Sequence, residues 1–179
     1  MLEELMLQNS RFVSNKGFTL VELLIAIVII GILAAIGVPS FQALMDKKRL
    51  QGAVDNVLAD LRYVRSESVK QNRDISVTFT EGSSWAYSFS PVLSVGVTAS
   101  GGNYRGTSMV VSATDKVITF EAKRSTISQG DTTKTAIGAS LKVVELTSAN
   151  GLKLGIEIDA GSRMGICTAS AVAGYPSCP

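Results

Sequence analysis

The sequence predicts an α+β fold: one long amino-terminal α-helix, half of it transmembrane, packed on an antiparallel β-sheet, with a carboxyl-terminal loop closed by a disulfide. Three observations predict it. From Leu23 to Met45 no residue is charged, and at ~1.5 Å rise per residue that stretch spans the ~30 Å hydrocarbon core of a bilayer. Behind it Leu50, Val54, Val57, Leu58, Leu61, Val64 and Val69 recur at helical spacing, with Asp46, Asp55, Asp60, Arg62 and Lys70 among the intervening positions. That pattern extends an amphipathic helix to about Gln71 and lays one face on a sheet. From Ile75 the hydrophobic period drops to two, the alternation of a strand with one buried face.

The chain has 179 residues, a formal net charge of +2, no histidine and two cysteines. Beyond Met45 roughly 135 residues remain, enough for one globular domain and not two. A charge this close to neutral predicts no strong global attraction to nucleic acid. The absence of histidine excludes Ser-His-Asp and Cys-His catalysis and removes the commonest metal ligand. No paired carboxylates, metal-ligand clusters or phosphate-cradling glycine loops stand out, so the reading is non-enzymatic and calls for no cofactor and no metal.

Taking the elements in order, the upstream segment carries Arg11 and Lys16 and ends at Gly17, a natural cleavage point. Glu22 stands just inside the front edge of the apolar run, where a lone carboxylate costs roughly 2.5–3.5 kcal/mol on insertion scales and implies a partner. A secretory signal peptide would have a shorter apolar region and a cleavage site behind it. An ordinary uncleaved anchor accounts for Leu23–Met45 but leaves Glu22 and the Gly17–Phe18 junction unexplained. Arg11 and Lys16 favour a cytoplasmic amino terminus, although Lys47, Lys48 and Arg49 beyond the helix weaken that charge asymmetry.

Gly17-Phe18-Thr19-Leu20-Val21-Glu22-Leu23-Leu24 resembles the class III signal of type IV pilins and type II secretion pseudopilins. The resemblance implies that a prepilin peptidase cuts after Gly17 and methylates the new amino-terminal Phe18. Residues 1–17 are then a cleaved leader, 18–45 the transmembrane and assembly half of the long helix, and 46–179 a periplasmic globular domain. Pro39 stands where the family commonly has a helix-bending proline. The leader is longer than is usual with a mature phenylalanine, which makes Met6 an alternative start. By the same resemblance the protein begins in the bacterial inner membrane as a single-pass chain and moves into a pilus or pseudopilus filament. Its implied partners are the prepilin peptidase, other pilin or pseudopilin subunits and the inner-membrane assembly platform. Physics supports the role: an α-amine and a carboxylate are both costly in lipid, and each becomes tolerable against the other. Glu22 of an incoming subunit would meet the Phe18 amine of its neighbour. Gly31, Ala34, Ala35 and Gly37 allow close helix approach, or are ordinary membrane-helix composition. Pro39 removes a backbone donor and should loosen the helix.

After the helix, with Asn72 as its terminator, Ile75–Thr80 and Trp85–Phe89 alternate around Glu81-Gly82-Ser83-Ser84 and predict a hairpin. Ser94–Ser108, rich in Gly, Ser and Thr, predicts a mobile loop. Further strands are expected at Met109–Ser112, Lys116–Glu121, Leu141–Leu146 and Leu152–Ile158, with Gly161–Pro179 mostly loop. Cys167 and Cys178 would be redox-active or metal-binding in a cytosolic protein. Beyond a membrane segment a structural disulfide is favoured, and closing a loop of ~12 residues contributes on the order of 3 kcal/mol.

Arg65-Ser66-Glu67 with Lys70, followed by Trp85 in the hairpin, is similar to the helix end of the FimT/GspH branch, as is Ile156–Gly161 to its last strand. Arg65, Glu67 and Lys70 also have a plain reading as solvated helix charges. The resemblance favours a minor pilin of a type IV pilus, with a GspH-type minor pseudopilin of type II secretion as the alternative. Some FimT-type pilins bind DNA through Gly-Arg-x-Arg. The corresponding Ser162-Arg163-Met164-Gly165 keeps one arginine, Arg163, which weakens the electrostatic term. Lys123, Arg124, Lys134, Lys142 and Lys153 would add to a patch only if they share a face.

Overall fold

The structure, a computed structural model, describes residues 17–93, 99–123, 126–130, 135–138, 140–159, 161–170 and 172–179. The chain divides into two compact units, Met1–Ser40 and Phe41–Pro179, and the boundary falls directly behind Pro39. Helix α1 runs Leu20–Lys70. In the first unit its apolar side chains, Leu23, Ile27, Ile30, Leu33 and Ile36 among them, are exposed. Length and composition suffice to cross a membrane.

In the second unit α1 buries a stripe of Leu50, Ala53, Val54, Val57, Leu58, Leu61 and Val64. Val69, expected on that stripe, is instead 49% exposed, while Glu67 and Ser68 turn inward. The helix is closing there. Asn72 takes a left-handed φ of 50°, with its N–H on the Val69 carbonyl at 3.2 Å and the Arg73 N–H on Ser68 at 3.1 Å. This is a Schellman closure with asparagine in place of glycine.

Among the described residues nine strands follow: β1 Ile75–Thr80, β2 Ala86–Ser90, β3 Thr107–Val111, β4 Val117–Phe120, β5 Ile127–Gln129, β6 Thr135–Ala136, β7 Leu141–Ser148, β8 Lys153–Ile158 and β9 Met164–Thr168. They form two antiparallel sheets, β2-β1-β4-β5-β6 and β3-β7-β8-β9, where a single sheet was expected. All four residues of β4 and the Val143–Leu146 stretch of β7 are buried. Strands covered on both faces do not alternate, so nothing in their pattern assigns them to separate sheets. The β1–β2 hairpin pairs Val77 with Phe89 and Phe79 with Tyr87, and its turn meets the second sheet through mutual backbone bonds between Gly82 and Met109.

One hydrophobic core draws on α1 and both sheets. Trp85 is fully buried in it, donates its indole N–H to Thr107 Oγ1 at 3.0 Å and stacks on Tyr104. The Gly101 N–H bonds the Trp85 carbonyl at 2.8 Å. A Cβ at Gly101 would lie 2.3 Å from the Ser83 carbonyl oxygen, so only glycine fits that approach. Of the expected Ser94–Ser108 loop, residues 94–98 lie outside the described residues, and Thr107 and Ser108 already belong to β3.

The carboxyl-terminal segment is less loop-like than expected, because β9 pairs with β8 along its whole length. Cys167 in β9 is disulfide-bonded to Cys178, with Cα atoms 4.8 Å apart. Beside it the Thr168 N–H bonds the Pro176 carbonyl at 2.7 Å and the Cys178 N–H bonds the Thr168 carbonyl at 3.1 Å.

Candidate functional site

Gly17, Phe18 and Thr19 precede the helix in non-helical backbone, and Phe18 is 84% exposed. Thr19 caps the helix. Its carbonyl accepts the Leu23 N–H at 3.1 Å, and its hydroxyl accepts the Glu22 N–H at 3.2 Å. Glu22 Oε2 in turn accepts from the Thr19 N–H and hydroxyl, each at 3.5 Å. This is a reciprocal capping box. Its Thr-x-x-Glu signature is present in the sequence at Thr19 and Glu22, a signal separate from the anomalous charge of Glu22. Both carboxylate contacts are long, so the carboxylate is only loosely engaged. Further along, Pro39 lies inside α1, and the Ser40 hydroxyl bonds back to the Ile36 carbonyl at 3.4 Å. Arg11 and Lys16, with the leader they belong to, lie outside the described residues.

Arg163 sits at the turn between β8 and β9. The Asp159 carboxylate accepts its backbone N–H at 2.9 Å and its Nε–H at 2.7 Å, and those bonds hold Asp159 below the ordinary carboxylate range, the backbone bond first. Ser162, at a left-handed φ of 58°, accepts the Ile127 N–H on its hydroxyl at 3.2 Å. Its carbonyl accepts from Arg65 of α1. Arg62, one turn earlier, donates to the Met164 carbonyl at 3.2 Å. The helix and the turn thereby bring Arg62, Arg65 and Arg163 to one groove of about 600 Å³, completed by Ser66, Val69 and Met164. Chain spacing did not reveal this grouping, since the helix arginines and the turn stand about a hundred residues apart.

Of the other cations considered alongside Arg163, two are engaged elsewhere. Lys142 and Lys153 both bind Glu145, at 2.5 and 3.0 Å. Lys142 first, and then Lys153, holds that buried carboxyl below its ordinary range. Arg124 and Lys134 lie outside the described residues. Glu67 and Lys70, read as solvated helix charges, form a pair at 3.3 Å, and Gln71 adds a 2.6 Å bond to Glu67. Deeper in, burial and then the Asp60 carboxylate raise the Tyr87 hydroxyl well above its usual value; the two groups are 2.5 Å apart. That bond ties α1 to β2. Among the described residues no group of three or more Cys, Asp or Glu side chains converges on a metal position.

Comparison with known proteins bears on both ends of the chain. The family model described as "Prokaryotic N-terminal methylation motif" matches residues 13–38, and "Type II transport protein GspH" matches residues 53–152. A fimbrial protein of Pseudomonas aeruginosa is 32% identical over 78 residues, covering 38% of this chain and 51% of its own length. The type IV narrow pilus major component PilA5 of Thermus thermophilus is 41% identical over 83 residues, covering 41% and 71%. The type IV major alpha-pilin of Moraxella bovis is 39% identical over 82 residues, covering 39% and 52%. The chain thus spans about half the length of the first of these relatives. No solved structure matches it. With the methylation motif, the GspH match over more than half its length, and a long apolar-tipped helix joined to antiparallel sheets, the chain belongs to the type IV pilin and type II secretion pseudopilin family, on its GspH branch.

Proposed function

We propose that this protein is a structural minor pilin of a type IV pilus. A prepilin peptidase cuts it between Gly17 and Phe18 and methylates Phe18. Leu23–Met45 holds it in the inner membrane until the assembly platform extracts it, and it enters the filament at or near the tip, priming assembly. The observation that carries this reading is a single carboxylate, Glu22, at the head of an exposed apolar helix, engaged among the described residues by two 3.5 Å contacts from Thr19. A neighbour's α-amine gives that carboxylate a full charge to meet, and in lipid such a pair replaces two separate desolvation costs. The expected outcome for Glu22→Ala is normal processing and reduced incorporation into sheared filaments, measured by immunoblot. Normal piliation with normal subunit content would count against the reading.

The GspH match favours one second reading, a minor pseudopilin serving type II secretion. Deleting the gene separates the two: loss of surface pili supports the first, and retention of secreted proteins inside the periplasm supports the second. A DNA-uptake role for Arg163 has less behind it, because Asp159 accepts its Nε–H and the position of the motif's second arginine is Gly165. Gel-shift titration at low salt, repeated with Arg163→Ala, decides that point, and absence of retardation rejects it.

A further inference from the structure

The groove formed by Arg62, Arg65, Ser66, Val69, Arg163 and Met164 is not used by the processing and assembly steps above. Its floor is aliphatic: Val69 is exposed where the helix pattern would have buried it, and Met164 faces it from the start of β9. Its rim is cationic. Arg62 gives one guanidinium nitrogen to the Met164 carbonyl, and Arg163 gives its Nε–H to Asp159 while its side chain stays 86% exposed. A guanidinium has five donors in a planar fork, so each keeps N–H groups suited to a second, bidentate acceptor. Asp159 pairs with Arg163 at this rim, Glu157 lies on β8 opposite Gly165, and Glu67 on the same helix is already bonded to Gln71 and Lys70.

We propose that this groove docks an acidic, partly aliphatic peptide segment presented by another subunit of the filament. Charge complementarity selects carboxylates, and the Val69–Met164 floor selects an aliphatic side chain between them. A nucleic acid would want a longer cationic track and aromatic stacking surfaces. Here the cationic lining is three arginines, and no aromatic ring is among the lining residues. The groove also lies on the last turns of the helix whose first half carries the assembly carboxylate, so a partner subunit is the natural source. The identity of that partner rests on the filament reading above.

The test titrates the full-length chain, in detergent micelles, with acetyl-Glu-Leu-Glu-Leu-Glu-amide, with its Gln-Leu counterpart, and with single-stranded DNA of about twelve nucleotides. The expected result is binding of the Glu peptide, with the Gln peptide weaker by about tenfold or more. Arg62→Gln and Arg163→Gln should each weaken the Glu peptide by about tenfold, the scale of one charged hydrogen bond. Ser66→Glu keeps every arginine and should block the same peptide by like-charge repulsion. Equal binding of the two peptides would overturn the proposal, as would indifference to all three substitutions. Tighter, arginine-dependent binding of the DNA would assign the groove to nucleic acid instead. Filament entry of the unmodified chain without peptide binding ends this inference and leaves the assembly reading intact. Peptide binding by a chain that never enters filaments removes the proposed partner.

Discussion

At Ser162 a left-handed backbone, a hydroxyl and a carbonyl each serve a different neighbour: the hairpin turn, β5 and α1. Ser162→Ala leaves the buried Ile127 N–H without an acceptor and should cost about 1–3 kcal/mol, measured by urea unfolding. Ser162→Gly loses the same acceptor but relaxes the positive φ, so it should cost less than the alanine variant. Glu145 gives a pH prediction. Its folded carboxyl is held below the ordinary value by Lys142 and then Lys153, so the stabilisation is fully present above the unfolded value of about 4.3. It is lost as pH falls through the lower folded value. Unfolding curves for the native chain and Glu145→Gln should therefore differ at pH 7 and converge in strong acid. A gap that does not change with pH would contradict this account.

Among the elements, β8 depends on Gly155, where an added Cβ would stand 3.1 Å from Lys142 Cγ, Lys142 Cδ and the Val144 oxygen. Gly155→Ala pushes the lysine stem off the strand and away from Glu145, with an expected loss of about 1–3 kcal/mol. Replacing Cys167 and Cys178 by serine together should cost about 2–4 kcal/mol, most of it through the unfolded chain. The elements that could be read from sequence were those whose own residues carry a period. α1 showed a lipid run, then an apolar stripe, then a terminator, and β1 and β2 alternated cleanly. β5 and β6, of three and two residues, are too short to show any period. β9 hid behind Gly165 and a polar turn, because its identity comes from pairing with β8. The groove could not be read at all, because it joins a helix face to a hairpin turn distant in the chain. Glu22 could be read as anomalous, since a charge in an apolar run stands out without any tertiary knowledge. Its capping partner Thr19 required attention to a different signal.

For the whole molecule, the division at Ser40 matters. One unit exposes an apolar helix, and the other has a closed core built from its helix, both sheets and a disulfide. The first is stable only against lipid or against other helices, whereas the second completes its own burial. Chain recovered from its native host should begin at Phe18 and carry one added methyl group, read by intact-mass spectrometry. Unprocessed chain with all seventeen upstream residues would remove the basis for Glu22 pairing.

If the chain enters a filament through its helix, as proposed, its sheet edges must not offer a second route of association. The bonds from Thr168 to Pro176 and Cys178, fastened by the Cys167–Cys178 crosslink, cover the Thr168 end of the β9 edge of the second sheet with the chain's own tail. A stray strand then finds the Thr168 end of that edge already occupied. Under reducing conditions that seal loosens, and the second unit should gain a tendency to associate sideways through that edge.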